Sequence, residues 1–227
     1  MGALNTILNS IFNVIFPAKC VSCGKKGKDF CAPCILEIPT AERETAKWIF
    51  PVYDYRHPPI KKALWLLKYN GKKKLAGIFA EILYEKIMEE LSELSVMENF
   101  RESILIPIPL SGKRHRERGY NQTELICREL MRIHLTPPLG SPGEVLSYRN
   151  DILIKPKETE HQARIKNRAE RLKNIIGSFA VKNENKIKNR NIILIDDIVT
   201  TGATLNEARK ILKSAGARKV IAFTVAH

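Results

Sequence analysis

Ile192-Ile-Leu-Ile-Asp196-Asp197-Ile-Val-Thr200-Thr201-Gly202-Ala-Thr204 is the stretch that decides how this chain is read. Four apolar residues run into two carboxylates, and these run into a loop of hydroxyls and glycine that opens an amphipathic segment. A strand this apolar is usually buried on both faces, as in a parallel sheet. Thr200, Thr201, Gly202 and Thr204 offer hydroxyls and close backbone approach at a helix N-terminus, where N–H groups lack partners. A phosphate binds readily at such a place. Asp196 and Asp197 stand beside it and suit a sugar diol or a metal-bound pair of hydroxyls. The combination fits a ribose 5-phosphate.

Outward from this stretch, apolar periodicity and turn residues predict strands at 48–55, 103–109, 151–154, 179–181, 192–195 and 219–225. Helices are predicted at 60–67, 75–94, 123–134 and 206–214, the last ended by Gly216. Pro58-Pro59 reads as a break and Asn70-Gly71 as a turn; 137–143 reads as a loop, and 144–148 is too short to assign. Alternating strands and helices of these lengths imply an α/β fold with an open, mostly parallel sheet flanked by helices. Ligands of such sheets bind beyond the carboxyl ends of the strands, where Asp196, Asp197 and the threonine loop would fall.

Near the other end, Cys20-x2-Cys23-x7-Cys31-x2-Cys34 sets two CxxC pairs close together. Each pair presents two sulfurs from one tight turn, and two turns complete a tetrahedral zinc site. Two disulfides are the competing reading, which a reducing compartment disfavours. Four protein ligands leave no open position, so the zinc would be structural. Cys127 sits in a helical pattern and reads as a core thiol. The expected organisation is an amphipathic helix and zinc module over residues 1–45, followed by one larger domain over 46–227.

The chain has 227 residues, 44% of them hydrophobic, and a formal net charge of +14. That balance attracts polyanions such as nucleotides, pyrophosphate or nucleic acid, without fixing which. No run of about 18 apolar residues is present, so no membrane span is expected, and the protein is expected to be cytoplasmic. Leu4, Ile7, Leu8, Ile11, Phe12 and Ile15 form a helical stripe. Its polar face lacks Lys and Arg, so docking on the protein itself is favoured over a membrane or partner helix. Aromatics make up 7% of the chain and are not interleaved with the basic runs. Any single-strand binding is therefore expected to be electrostatic and weak.

Two basic stretches follow apolar strands. The first, 107–122, contains Lys113, Arg114, Arg116 and Arg118 between prolines and glycines that suggest a loop; guanidinium groups there suit pyrophosphate oxygens. A solvated loop or a nucleic-acid patch would look the same in sequence. The second, 153–173, contains Lys155 and Lys157 and is longer than most connections need, so it reads as a lid or as a solvated connection.

Together these pieces resemble the ComF competence family, a branch of the type I phosphoribosyltransferases with an N-terminal zinc module. Asp196-Asp197-x-x-Thr-Thr-Gly-Ala-Thr is similar to the phosphoribosyl pyrophosphate (PRPP) motif of that superfamily. Residues 107–122 resemble the family's P-x-P-L…R-x-R-G-[FY]-N-Q stretch, and 155–162 its R-x-R-x-T-x-x-Q stretch, with Lys155 and Lys157 in the arginine places. Lysine lacks the bidentate fork of arginine, which weakens pyrophosphate clamping there. The resemblance implies a type I phosphoribosyltransferase-like fold, with the 5-phosphate held by Thr200, Thr201, Gly202, Ala203 and Thr204. It implies ribose hydroxyls on Asp196 and Asp197, Mg2+ arriving with PRPP, and pyrophosphate contacts from residues 113–118 and from Lys155 and Lys157. Purine-salvage members carry a carboxylate where this chain has Thr200, so 6-oxopurine salvage is not expected. The resemblance further implies a role in DNA uptake, in which single-stranded DNA and a helicase-like ATPase are the expected partners.

Overall fold

The computed structural model describes residues 18–41, 46–136, 146–156 and 175–227. The predicted stripe at 4–15, the loop at 137–143, Lys157 and the rest of the second basic stretch up to residue 173 lie outside them.

Five strands pair in parallel in the order β1 (Ile49–Tyr53), β7 (Lys219–Ala226), β6 (Asn191–Ile198), β2 (Ser103–Pro107) and β3 (Leu146–Tyr148). The apolar run that begins at Ile192 therefore forms the central strand. Its first seven residues are buried, as expected for a strand covered on both faces. β6 is longer than the predicted 192–195: Asp196 and Asp197 still belong to it, and Asp196 is in register with Thr224. The carboxylates are thus held by ladder hydrogen bonds rather than carried on a loose tip.

Strand alternation sends Ile193 and Ile195 into one core and Ile192 and Leu194 into another. The first core lies under α2 (Pro58–Tyr69), α3 (Leu75–Glu98) and α5 (Gln122–His134). The second lies under α6 (Ala203–Ser214) and a two-stranded antiparallel sheet of β4 (Leu153–Ile154) and β5 (Ala180–Val181). By the same alternation Asp197 shares the face of α2 and α5, and Asp196 the face of α6.

Two local readings change. Pro58-Pro59 opens α2 rather than breaking the chain, because proline's fixed φ and missing N–H are harmless in a first helical turn. Residues 112–118, expected as a loop, form the short helix α4 (Gly112–Arg118). Gly119, at φ 77, ends it in the left-handed conformation that glycine adopts without penalty. Within the stretch too short to assign from sequence, Leu146–Tyr148 forms the edge strand β3.

The cysteine segment packs on the main body. It ends in α1 (Ala32–Leu36), and Cys20, Val21, Phe30 and Ile38 join the core of α2 and α3. Lys72, just beyond α2, pairs with Asp29 at 2.9 Å.

Candidate phosphoribosyl cleft and tetra-cysteine cluster

A cleft of about 410 Å³ opens at the carboxyl end of the sheet. Its floor is Asp196, Asp197 and Ile198 from β6, and one wall is Ile108, Pro109 and Leu110 after β2. Tyr55 follows β1, and Leu64, Trp65, Lys68 and Tyr69 come from α2. Arg114, Arg118, Gln122, Lys155, Thr200 and Thr204 complete the lining.

The two carboxylates have different surroundings. Burial, then the neighbouring Asp197 charge, pushes the Asp196 carboxyl well above the usual carboxylate range. Asp196 Oδ1 accepts the Asp197 backbone N–H at 2.8 Å. Asp197 Oδ2 takes the Lys68 ammonium at 2.6 Å and the Gln122 amide at 3.1 Å. Gln122 Oε1 in turn accepts from Arg118, so a chain of polar contacts runs from the basic helix α4 to the floor of the cleft. Lys68 is 17% exposed and Asp197 6%, so this pair is largely removed from water. Truncating one member of so buried a pair leaves the other uncompensated.

The prolines and polar residues around β2 fix the wall. Asn121 caps α5, its Oδ1 accepting the Thr123 N–H at 3.2 Å, and its Nδ2 donates to the Ile108 carbonyl at 3.1 Å. Thr123 Oγ1 donates to the same carbonyl at 2.8 Å. The Asn121-Gln122 pair thus has two jobs: Asn121 ties α5 to the wall, and Gln122 reaches Asp197.

After β6 the chain turns sharply into α6. Gly202 sits at φ 73, and a Cβ there would lie 3.3 Å from Asn206 Nδ2. The positive φ favours glycine, and a Cβ would in addition make the Asn206 side chain give by a few tenths of an ångström. The Ala203 N–H donates to Thr201 Oγ1 at 3.3 Å, and no side chain caps α6 from Gly202. The first turn of this 12-residue helix therefore faces the cleft beside Thr200 and Thr204 with the positive end of its dipole.

Of the residues singled out from sequence, the fold gathers Asp196, Asp197, Thr200, Thr204, Arg114, Arg118 and Lys155 around one cleft. Thr201, Gly202 and Ala203 form the turn at its edge. Arg114 and Arg118 are i, i+4 on α4 and face the cleft together, whereas Lys113 and Arg116 are exposed and do not line it. Lys155 Nζ lies 5.2 Å from the centre of the Phe179 ring. Sequence reasoning gave no role to Lys68, Trp65 or Tyr69. The helical phasing of α2 sets these three on one face, and that was the available signal.

The aromatic residues also stand closer to the basic ones than their sequence order suggests. The Arg118 guanidinium lies 5.2 Å from the Tyr69 ring centre, and the Lys73 ammonium 4.7 Å from that of Tyr120. Tyr120 donates its hydroxyl to the Leu67 carbonyl, tying the end of α4 to α2.

The sulfurs of Cys20, Cys23, Cys31 and Cys34 all lie within 4.8 Å of one another, and those of Cys23 and Cys31 are 3.7 Å apart. A tetrahedral site with Zn–S bonds of about 2.3 Å needs sulfurs about 3.8 Å apart, whereas a disulfide needs about 2.05 Å. The cluster can hold a metal, and the fit is to a metal rather than to disulfides. Burial opposes ionisation of Cys20, but the backbone N–H groups of Cys31, Cys23 and Ser22 outweigh it and bring the thiol down to about 6. The Ser22 side chain favours the Cys34 thiolate, yet the thiols of Cys31 and Cys23, then burial, push Cys34 up to about 12. Crowded sulfurs competing for protons in this way are relieved by a divalent cation.

The phosphoribosyl transferase domain family matches residues 151–227. Competence protein ComFC of Streptococcus pneumoniae is 32% identical over 207 residues, covering 88% of this chain and 81% of that protein. Competence protein F of Haemophilus influenzae is 26% identical over 208 residues, covering 88% and 81%. DNA utilization protein YhgH of Salmonella typhimurium is 25% identical over 190 residues, covering 84% and 74%.

Proposed function

The chain belongs to the ComF competence family, and from that premise we propose that the cleft binds PRPP and serves DNA uptake during natural transformation. The observation that carries the reading is the joining of paired carboxylates, a threonine-glycine turn and a helix N-terminus at the carboxyl end of the central strand. Thr200, Thr201, Gly202, Ala203 and Thr204 hold the 5-phosphate through hydroxyls and the N–H groups of a helix N-terminus. Asp196 and Asp197 accept the ribose hydroxyls. Asp196 and Asp197 would also face any Mg2+ bound with the ligand, which would supply charge neutralisation for the pyrophosphate.

Transfer of the phosphoribosyl group breaks the C1–O bond to pyrophosphate as a bond from the acceptor forms at C1. Arg114, Arg118 and Lys155 stabilise the charge on the departing pyrophosphate. Thr200 offers no base for a purine, so the acceptor is not an ordinary 6-oxopurine. Calorimetric titration with Mg–PRPP is expected to give millimolar or tighter binding, and an acceptor screen then reads pyrophosphate release. Binding weaker than about 1 mM by the zinc-loaded full chain would sink this reading.

A second reading is favoured by the net charge of +14 and the exposed basic residues of α4: a PRPP-responsive accessory that holds single-stranded DNA for a helicase-like ATPase in the cytoplasm. Contact with about three to four phosphates predicts a roughly twenty- to fiftyfold loss of affinity between about 50 and about 200 mM salt. Salt-insensitive binding would rule this electrostatic contact out.

A further inference from the structure

Two large aromatic rings stand in water at the mouth of the cleft. Along α2, Lys61, Trp65, Lys68 and Tyr69 recur at i, i+4, i+7 and i+8, while Ile60, Ala63, Leu64 and Leu67 are buried on the other side. Trp65 is 54% exposed and Tyr69 53%. Their ring centres are 6.1 Å apart with the planes inclined at 45°. Single exposed apolar residues are ordinary on any protein. These two are paired, they line the same cleft as Asp196 and Asp197, and the Arg118 guanidinium lies 5.2 Å from the Tyr69 ring centre.

The surroundings narrow what such rings can hold. A hydrocarbon ligand would gain from the rings but would cover, without satisfying, the donors of Lys68 and Arg118 that Asp197 and Gln122 leave over. A nucleobase answers both, with a flat face for stacking and an edge of donors and acceptors. The cations alongside suit a phosphate on the same ligand or on its co-substrate.

We propose that Trp65 and Tyr69 form a stacking shelf for a nucleobase ring. The base comes either from a free base acting as acceptor or from a nucleotide in a single strand. The orientation of the base toward the sugar site rests on the PRPP reading of the cleft; the stacking itself does not. The shelf is distinct in sequence from the phosphoribosyl motif, so its loss leaves the carboxylates and the threonine turn in place.

The chain has two tryptophans, and the second, Trp48, lies with its ring 4.5 Å from the Arg209 guanidinium and packs against the core. Quenching of tryptophan fluorescence can therefore be assigned to Trp65 by comparing wild type with W65F. The full zinc-loaded chain is titrated by fluorescence and calorimetry with adenine, cytosine, thymine, the nucleoside 5′-monophosphates, a short single-stranded oligonucleotide and its abasic counterpart. Wild type is expected to show quenching that W65F lacks, with calorimetric affinity kept in W65F. In W65A and Y69A the affinity for base-bearing ligands falls about 5- to 100-fold, while the abasic oligonucleotide is bound as by wild type. Free bases binding alone, or oligonucleotides binding alone, each support the shelf and identify the source of the base. Base-bearing and abasic ligands binding equally well, or W65A and Y69A binding bases as wild type does, would overturn the proposal. If wild type fails to bind Mg–PRPP yet bases still quench Trp65, the PRPP reading falls and the shelf stands. If Mg–PRPP binds and no base does, the shelf falls alone.

Discussion

A chain carrying Asp196→Asn together with Asp197→Asn loses Mg–PRPP binding while keeping its fold. A hydrogen bond from a ribose hydroxyl to a carboxylate is worth about 1.5–3 kcal/mol. Two of them amount to about 3–6 kcal/mol, or roughly two to four orders of magnitude in Kd. The fold is expected to survive because asparagine has nearly the same shape and keeps one acceptor oxygen for the contacts within the protein, while the second oxygen gives way to an amide donor that repels an incoming hydroxyl proton. Residue 196 still receives the following backbone N–H, and residue 197 still accepts from Lys68 and Gln122. As a neutral group it leaves the largely buried Lys68 ammonium without its counter-charge, which lowers stability without removing the packing of the sheet. Replacing Asp196 also removes a carboxyl whose charged form is disfavoured by burial and by its neighbour. The formal net charge becomes two units more positive, so single-strand affinity holds or rises if that contact is electrostatic. Calorimetry with Mg–PRPP and a fluorescence assay with labelled single strands separate the two effects. PRPP affinity within about threefold of wild type would mean that the carboxylates do not carry the sugar. Loss of transformation by such a strain would tie the biological role to the cleft; its retention would cut that link.

The cleft floor was legible because it is contiguous. An apolar run, two carboxylates and a threonine-glycine turn within residues 192–204 fix strand, turn and helix from local chemistry alone. The tetra-cysteine cluster was legible for the same reason, since two CxxC turns lie close together. Lys68 was not, because a lysine on a helix next to other lysines carries no mark of a buried partner. Only packing of α2 over β6 brings it 2.6 Å from Asp197. Trp65 and Tyr69 were hidden by the same step: the phasing of α2 shows that they share a face, but not that the face borders the sugar site.

The basic stretch 112–118 was misread in form and partly legible in function. Flanking prolines and glycines suggested a loop, yet Gly112 begins a helix and Gly119 ends one. Once it is a helix, the four-residue spacing of Arg114 and Arg118 turns both toward the cleft and leaves Lys113 and Arg116 outside it. Aromatic and basic residues are likewise separate along the chain and adjacent in space, as Tyr69 with Arg118 and Tyr120 with Lys73 illustrate. Interleaving along the sequence is therefore a poor test for a stacking surface in an α/β fold, where neighbouring helices supply the two kinds of residue.

A zinc ion held by the four cysteines would fasten residues 19–38, so that removing it, by a strong chelator or by Cys23→Ser with Cys34→Ser, is expected to unfold that segment and leave the sheet folded. A structural zinc bound by cysteines contributes about 10–16 kcal/mol of apparent folding free energy at neutral pH. The segment has little else to hold it. α1 has five residues and none of them is fully buried; the segment's buried apolar residues are Cys20, Val21, Phe30 and Ile38, with Cys31, Cys34 and Ile35 half-buried against the same core. The parallel strands do not depend on it, since β1, β7, β6 and β2 are covered by α2, α3, α5 and α6. Hydrogen exchange should therefore show protection lost around Phe30 and retained in β6 and β7, with one zinc released per chain on addition of the chelator. Phe30 is 2% exposed, so its release uncovers an apolar surface on α2 and α3 and should promote association. A smaller effect is expected at the cleft. Asp29 holds Lys72 at 2.9 Å, and Lys72 lies in the turn after Tyr69, so loss of the segment frees the end of α2 that carries Lys68 and Tyr69. PRPP affinity should weaken by a few-fold, far less than in the double asparagine variant. Unchanged exchange around Phe30 after complete zinc removal would show that the segment is held by packing rather than by metal.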